Sequence, residues 1–364
     1  MRNKLSMIPR NMDDMCKTVQ DLWDTVVNPQ ITISGGEPFT TPGEDLKRLF
    51  KLVETLQGRF GVITNGSLVT EDWIPFFRDN RGAITFSFDG PGMNGGRSSI
   101  LDEEHVIDMM KKFLAGGVRV LTSIVLNDAH DHKKLIEWIK QLHTMGIDLG
   151  YVQGLRDPNI NPDSTGRFWE LLTDLVFDTD WCMYEPVVGV IDMFRSKVNR
   201  WCFRNPCDPY STYNIIDVFG DGSYSSCIFT QMNNGTMMPM QERSFERCHA
   251  LYWTPQSNGG CKDCKWWNCC YGGCPGNAQD PRKRDTSCGA YMMLFQKVWD
   301  RMMAKGMNPR MPDPVEWFDP HMQDVVYRRI PHATGKIQTT VVNKIRMVEY
   351  GNEIELFYDP KEMY

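Results

Sequence analysis

Cysteine is the residue type that most constrains this chain. In "CKDCKWWNCCYGGC" the sulfurs of Cys261, Cys264, Cys270 and Cys274 are separated by two, five and three residues, and Cys288 follows after a longer gap. Upstream, Cys207 is followed by fourteen residues, Gly222, four more residues and Cys227. Thiolates are soft metal ligands, and a C-x-x-C turn offers two of them to one centre while distant segments supply the rest. Two kinds of centre favour four thiolates, a zinc ion and an iron–sulfur cubane, and seven or eight sulfurs suffice for two cubanes. Colour separates the two readings, because iron–sulfur protein is brown and zinc protein is not.

The chain has 12 cysteines, and all but Cys16 and Cys182 lie between Cys202 and Cys288. The opening "MRNKLSMIPRNMDDM" is basic but lacks the apolar core of a secretion signal, so a cytoplasmic protein is expected. There, clustered cysteines are metal ligands or catalytic groups rather than disulfides. Adjacent thiolates rarely bind one metal together, and Cys269 is therefore read, with Cys248, Cys182 and Cys16, as a small buried hydrophobe.

A second set of polar groups recurs in the sulfur-poor first half. Gly35-Gly36-Glu37-Pro38, Thr64-Asn65-Gly66, Ser87-Phe88-Asp89-Gly90, Asn127-Asp128 and Gln153-Gly154 each end a short apolar run such as "ITIS", "FGVI" or "AITF". Between them lie stretches with helical periodicity, "EDLKRLFKLVETLQ", "EDWIPFFRD", "EEHVIDMMKKFLAGG" and "HKKLIEWIKQLHTMG". Five strands alternating with helices predict a parallel α/β array, which carries its chemistry at the strand ends. Gly, Asn and Asp are also ordinary β–α turn residues, and that reading applies to any one of these turns. Met109 and Met110 fall at core positions.

At 364 residues the chain exceeds one usual core, which predicts a large barrel-like unit and a smaller module. A net charge of -6 with 24% charged residues lacks the basic footprint of a nucleic-acid binder, and no apolar run reaches the ~20 residues of a membrane span. The expected boundaries are 1–190 for the barrel, 191–305 for the cysteine module and 306–364 for a β-rich extension. The tail "ATGKIQTTVVNKIRMVEYGNEIELFY" alternates like strands; it offers either a sheet packed on the barrel or an edge for an extended peptide. Trp181, Trp253, Trp266 and Trp267 either line a peptide groove or fill core space.

The "SGGEP" strand end, followed by "ITNGSL" and "FSFDGP", resembles the partial (β/α)6 barrel of radical S-adenosylmethionine enzymes. The cysteine pattern resembles that superfamily's SPASM extension over its whole length. The resemblance implies that Gly35, Gly36, Glu37 and Pro38 hold the amino end of S-adenosyl-L-methionine. Ser87 and Arg97 are implied at its carboxylate or ribose, with the Asn65 and Asp89 turns completing the set. It also implies two auxiliary 4Fe-4S clusters, one on Cys261, Cys264, Cys270 and Cys288, the other begun by Cys207, Cys227 and Cys274 with Cys202 as the candidate fourth ligand. The implied partners are a precursor peptide or protein substrate and a low-potential donor such as a flavodoxin or ferredoxin, with neither nucleic acid nor membrane.

One departure stands out. The superfamily's radical-generating cluster sits on a C-x-x-x-C-x-x-C loop after the first barrel strand, and this sequence contains no such loop. The helix-like "MDDMCKTVQDLWDTVV" leads directly into the Glu37 strand, so the fold class expected is a partial (β/α)6 barrel lacking its first strand as given, with the missing strand and loop just upstream of Met1. The alternatives are a degenerate iron–sulfur electron-transfer or peptide-binding subunit, and a radical dehydrogenase of a small molecule. Relatives that make formylglycine carry Asp after the hairpin's second cysteine; here Ile228 follows Cys227, which argues against sulfatase activation.

Overall fold

The computed structural model describes residues 11–25, 30–34, 36–93, 102–147, 149–154, 161–179, 183–196, 216–225, 251–252, 261–274, 277–278, 284–313, 337–342, 345–350 and 353–358. Helix α1 (Met12–Leu22) starts at Asn11, whose side chain accepts from the Asp13 and Asp14 amides. Six strands follow: β1 (Gln30–Ile33), β2 (Arg59–Thr64), β3 (Ala83–Ser87), β4 (Arg119–Leu126), β5 (Leu149–Gly154) and β6 (Met183–Glu185). They form one sheet in the order β1-β2-β3-β4-β5-β6, with every neighbouring pair parallel.

Parallel neighbours require a crossover between strands, and helices supply it: α2 (Gly43–Thr55), α3 (Ile74–Asp79), α4 (Glu103–Ala115), α5 (His132–Thr144) and α6 (Pro162–Asp178). Their buried faces follow helical spacing, as in Leu46, Leu49, Phe50 and Val53 on α2 or Val106, Met109, Met110 and Phe113 on α4. These faces meet the alternate, buried row of each strand, with Phe50 stacked on Phe60 at 4.1 Å and Phe113 edge-on to Phe86 at 6.2 Å. Burying each such ring contributes about 1.5–3 kcal/mol. The α4 and α5 amino ends are fixed by Asp102, which accepts from His105 N, and by Asp131, which accepts from Lys133 and Lys134 N.

Strand β6 has no counterpart in the sequence reading, because its three residues are too short to show an alternation. It is admitted by a glycine on β5. A Cβ at Gly150 lies 2.6 Å from Tyr184 Cε1 and 2.7 Å from Thr122 Oγ1, so any larger residue displaces the fully buried Tyr184 ring. The Tyr184 hydroxyl reaches to 3.3 Å from Thr122 Oγ1.

Beyond α7 (Val187–Ser196) comes a short hairpin of β7 (Asp217–Val218) and β8 (Tyr224–Ser225). The Gly220-Asp221-Gly222-Ser223 turn between them closes by Phe219 N donating to Ser223 O at 2.7 Å and Gly222 N to Phe219 O at 2.9 Å. The turn also grips α1, since Gly220 O accepts from Asn11 N at 2.7 Å and Gly222 O from the Thr18 hydroxyl at 2.7 Å. Helices α8 (Trp267–Cys270) and α9 (Cys288–Ala304) follow, then a meander of β9 (Ile337–Val342), β10 (Ile345–Tyr350) and β11 (Glu353–Tyr358), antiparallel in the order β11-β10-β9.

The chain divides into two compact units, Met1–Val188 with Val218–Ser223, and Gly189–Asp217 with Tyr224–Tyr364. In the second unit Phe194 packs on Trp266 and Trp299, and Leu294, Phe295, Val298 and Met302 bury the inner face of α9. Among the described residues, no helix is long and apolar enough to cross a membrane.

Candidate functional site

In the first unit, Gly36, Glu37 and Pro38 follow β1, Asn65 follows β2, and Ser87 and Asp89 end β3. Three adjacent parallel strands therefore bring these residues to one edge of the sheet, their carboxyl ends. Gly36 adopts φ +60 and has open space where a Cβ would be, so its backbone conformation and not crowding calls for glycine. Gly35 and Arg97 lie outside the described residues.

The carboxylates at this edge are held in place by the neighbouring strand. Glu37 Oε1 accepts from the Thr64 hydroxyl at 2.7 Å and from Phe39 N at 3.2 Å, and Oε2 accepts from Asn65 N at 2.8 Å. Thr64 Oγ1 in turn accepts from Gly66 N at 2.9 Å, and Asn65 Oδ1 from Ser67 N at 2.8 Å. Asp89, buried, accepts from Val125 N of β4 at 2.8 Å. Each carboxylate thus pins its own turn to the end of the next strand, leaving the intervening backbone groups fixed at the rim. Thr64, buried at the centre of the Glu37 network, was named from the sequence only as part of the Thr64-Asn65-Gly66 strand end and was given no role there.

Glu37→Ala removes the acceptor of a buried hydroxyl and of a backbone amide. It is expected to lower stability by about 1–3 kcal/mol, read as a lower denaturant midpoint. Glu37→Gln keeps one acceptor oxygen and is expected to cost less. Equal midpoints for wild type and Glu37→Ala would show that the carboxylate does not join the two strands.

In the second unit, Cys261, Cys264, Cys270 and Cys288 line a single cavity together with Trp266, Trp267, Gly272, Arg284, Asp285 and Tyr291. Local structure explains how four sulfurs separated in sequence meet there. Cys264 N donates to Cys261 O, closing the C-x-x-C turn, and Trp267 N donates to Cys264 O, leading into α8. After Cys270 the chain reverses through three left-handed residues, Tyr271, Gly272 and Gly273, with φ of 45, 83 and 78. The left-handed backbone is costly for tyrosine by about 1–2 kcal/mol, which burial of its ring against Trp267 at 4.9 Å offsets.

Asp285 ties this reversal to α9. It is 2% exposed; Oδ2 accepts from Cys274 N and Asn277 Nδ2, each at 3.1 Å, and Oδ1 accepts from Ser287 N at 2.7 Å. Its backbone adds two links, Asp285 N to Gly272 O at 2.8 Å and Cys288 N to Asp285 O at 3.0 Å. A Cβ at Gly273 lies 2.4 Å from Asp285 Cβ, so the close approach itself demands glycine. Nothing in "KRDTSC" marks this aspartate as special, because two of its carboxylate's three donors are backbone amides.

The thiols in the cavity are electrostatically coupled. Burial pushes Cys270 up, as do the neighbouring Cys288, Cys269 and Cys261, while the Gly272 N–H hydrogen-bonds the sulfur and acts against the rise. Burial also pushes Cys288 up, and Arg284 opposes it by charge and by a hydrogen bond. A bound cation reverses such shifts, because it favours the thiolate. Among the described residues no three His, Cys, Asp or Glu side chains converge as one metal ion requires. Four cysteines around one cavity, with Arg284 also on its wall, suit a multi-atom iron–sulfur group held at its corners.

Cys269 is fully buried in α8 and is absent from the cavity lining, and burial pushes its thiol up strongly. Cys274 also lies off the cavity, its amide held by Asp285. Cys202, Cys207 and Cys227 lie outside the described residues, as do Trp181 and Trp253. Trp266 and Trp267 are buried, at 3% and 8% exposure, and pack against Phe295 and Tyr271 respectively.

No protein-family model matches the chain. Its curated relatives are anaerobic sulfatase-maturating enzymes. The serine-type enzyme of Bacteroides thetaiotaomicron is 24% identical over 352 residues, covering 81% of this chain and 83% of the relative. The cysteine-type enzyme of Clostridium perfringens is 22% identical over 313 residues, covering 75% and 82%. Among solved structures, anSMEcpe with bound AdoMet superposes at a TM-score of 0.65 with 18% identity, covering 85% of this chain and 94% of that one. Streptococcus suis SuiB bound to its precursor peptide SuiA superposes at 0.56 with 16% identity, covering 79% and 71%. The parallel α/β sheet is therefore the fold of these structures, and the resemblance drawn from the sequence is borne out by these relatives.

Proposed function

We propose that this protein is a radical S-adenosylmethionine enzyme that oxidatively modifies a residue of a ribosomally made peptide or protein, assisted by two auxiliary 4Fe-4S clusters. The observation that carries the reading is the cavity lined by Cys261, Cys264, Cys270 and Cys288, in a chain whose sheet rim presents the Gly36, Glu37, Asn65, Ser87 and Asp89 turns. Solved structures of this fold include one with bound AdoMet and a peptide and one with a bound precursor peptide, which supports a peptide substrate.

In this reading S-adenosylmethionine, together with a reduced iron–sulfur cluster, supplies the radical hydrogen abstraction. The chain's own residues bind and orient. The backbone at Gly36, in a left-handed conformation that glycine adopts readily, would meet the ligand's amino end, and Glu37 keeps that turn fixed to β2 through Thr64 and Asn65. Ser87, half-buried at the end of β3, lies one strand further along the rim and offers a hydroxyl to the carboxylate or ribose. Asp89 holds the β3 turn on β4. The four cavity cysteines hold one auxiliary cluster, and Cys207, Cys227 and Cys274 with Cys202 hold the other.

Ile228 after Cys227 sets this chain apart from formylglycine-forming enzymes, so the proposed substrate is a peptide other than a sulfatase. The test uses the reading frame including any segment upstream of Met1, reconstituted anaerobically with iron and sulfide. Given dithionite, S-adenosylmethionine and peptides encoded beside the gene, it is expected to release 5'-deoxyadenosine and to return a peptide lighter by a pair of hydrogens. Iron-loaded protein that leaves both cofactor and peptide unchanged favours an electron-transfer or peptide-binding subunit instead. Modification of a sulfatase peptide alone overturns the substrate assignment.

A further inference from the structure

We propose that Arg284 is a positioning residue for the group held by Cys261, Cys264, Cys270 and Cys288, raising that group's reduction potential by presenting its guanidinium to the cavity that the four sulfurs line. The inference rests on the iron–sulfur reading of the cavity. Arg284 is half-buried on the cavity wall beside Cys288. Its backbone is held by the next residue, because the Asp285 carboxylate points to Cys274 N, Asn277 Nδ2 and Ser287 N. The arginine therefore extends from a fixed point.

Two charged side chains line the cavity with the sulfurs, Asp285 and Arg284. The Asp285 carboxylate is engaged by its three donors, and the Arg284 guanidinium supplies positive charge. Lys265 is engaged elsewhere, its ammonium donating to Gln296 and sitting 4.5 Å from the Trp266 ring centroid, and neither Lys262 nor Lys265 lines the cavity. Arg284 is thus the described cation that lines the cavity. One-electron reduction adds negative charge to a thiolate-bound cluster, and an N–H donor or a positive charge at a ligating sulfur stabilises the reduced form. A guanidinium supplies both, in a bond stronger than a neutral donor makes.

The experiment compares wild type, Arg284→Gln and Arg284→Lys as full chains reconstituted anaerobically. The electron paramagnetic resonance signal belonging to this cavity is the one that Cys264→Ala abolishes, and its midpoint potential is read by titration with dithionite. Arg284→Gln is expected to keep its iron and to shift the reduction equilibrium about tenfold toward the oxidised form, a midpoint about 59 mV lower. Arg284→Lys, which keeps the charge and loses the planar fork, is expected to fall between. An unchanged midpoint in iron-loaded Arg284→Gln overturns the proposal. If Arg284→Gln fails to hold iron, Arg284→Lys decides: a lowered midpoint supports the proposal and an unchanged one overturns it. Wild-type protein that takes up no iron–sulfur cluster overturns the reading of the cavity, and this inference with it.

Discussion

Cys270→Ala is expected to cost the reconstituted protein about four iron atoms per chain, one cubane's worth, while Cys269→Ala leaves the iron content unchanged. The two residues are neighbours on α8, but successive side chains on a helix diverge by about 100°, so they face different surroundings. Cys270 lines the cavity with Cys261, Cys264 and Cys288; Cys269 is fully buried away from that lining. Removing the Cys269 sulfur deletes a small apolar group, at about 1 kcal/mol of stability. Iron and sulfide assays on the two variants, reconstituted in parallel, decide the matter. Equal iron loss in both sinks the assignment, and zinc recovered in place of iron sinks the cluster reading itself.

Asp285→Ala is expected to destabilise the cysteine-lined loop strongly. Its carboxylate accepts from three donors, two of them backbone amides at Cys274 and Ser287, and it is nearly inaccessible to water. Truncation leaves those donors without the acceptor that now serves them, a loss on the order of 3 kcal/mol. The backbone links from Asp285 to Gly272 and Cys288 persist, so the loop is loosened rather than abolished. Asp285→Asn keeps one acceptor oxygen and is expected to fall between wild type and Asp285→Ala. Thermal unfolding of the metal-free chain measures the effect without the contribution of bound iron. An unfolding temperature for Asp285→Ala equal to that of wild type shows that the aspartate braces nothing.

What was readable beforehand follows a physical division. Strands β1 to β5 announced themselves because each is an apolar run ending in Gly, Asn or Asp, and α2, α4 and α5 because their buried faces repeat at helical spacing. The resemblance to the SPASM pattern, and not spacing alone, grouped the four cysteines that line the cavity. Strand β6 was not readable, being three residues whose place depends on the absence of a side chain at Gly150. The linkages made by Glu37, Asp89 and Asp285 were not readable either. Each carboxylate accepts from the backbone of a segment apart from its own, and a backbone amide leaves no mark in the residue type that carries it. Arg284 was hidden for a related reason, since its meaning depends on the cavity it lines.

The turn that grips α1 bears on how this molecule can be divided. Val218–Ser223 folds with the first unit, while the chain on either side of it folds with the second. A fragment ending at residue 188 therefore lacks Gly220 O and Gly222 O, the acceptors of Asn11 N and the Thr18 hydroxyl. The cysteine-rich unit, cut out on its own, carries along a turn that belongs to its neighbour. Neither half is a cassette that can be exchanged between proteins by a single splice, and a chimaera has to transfer the turn together with the helix that receives it.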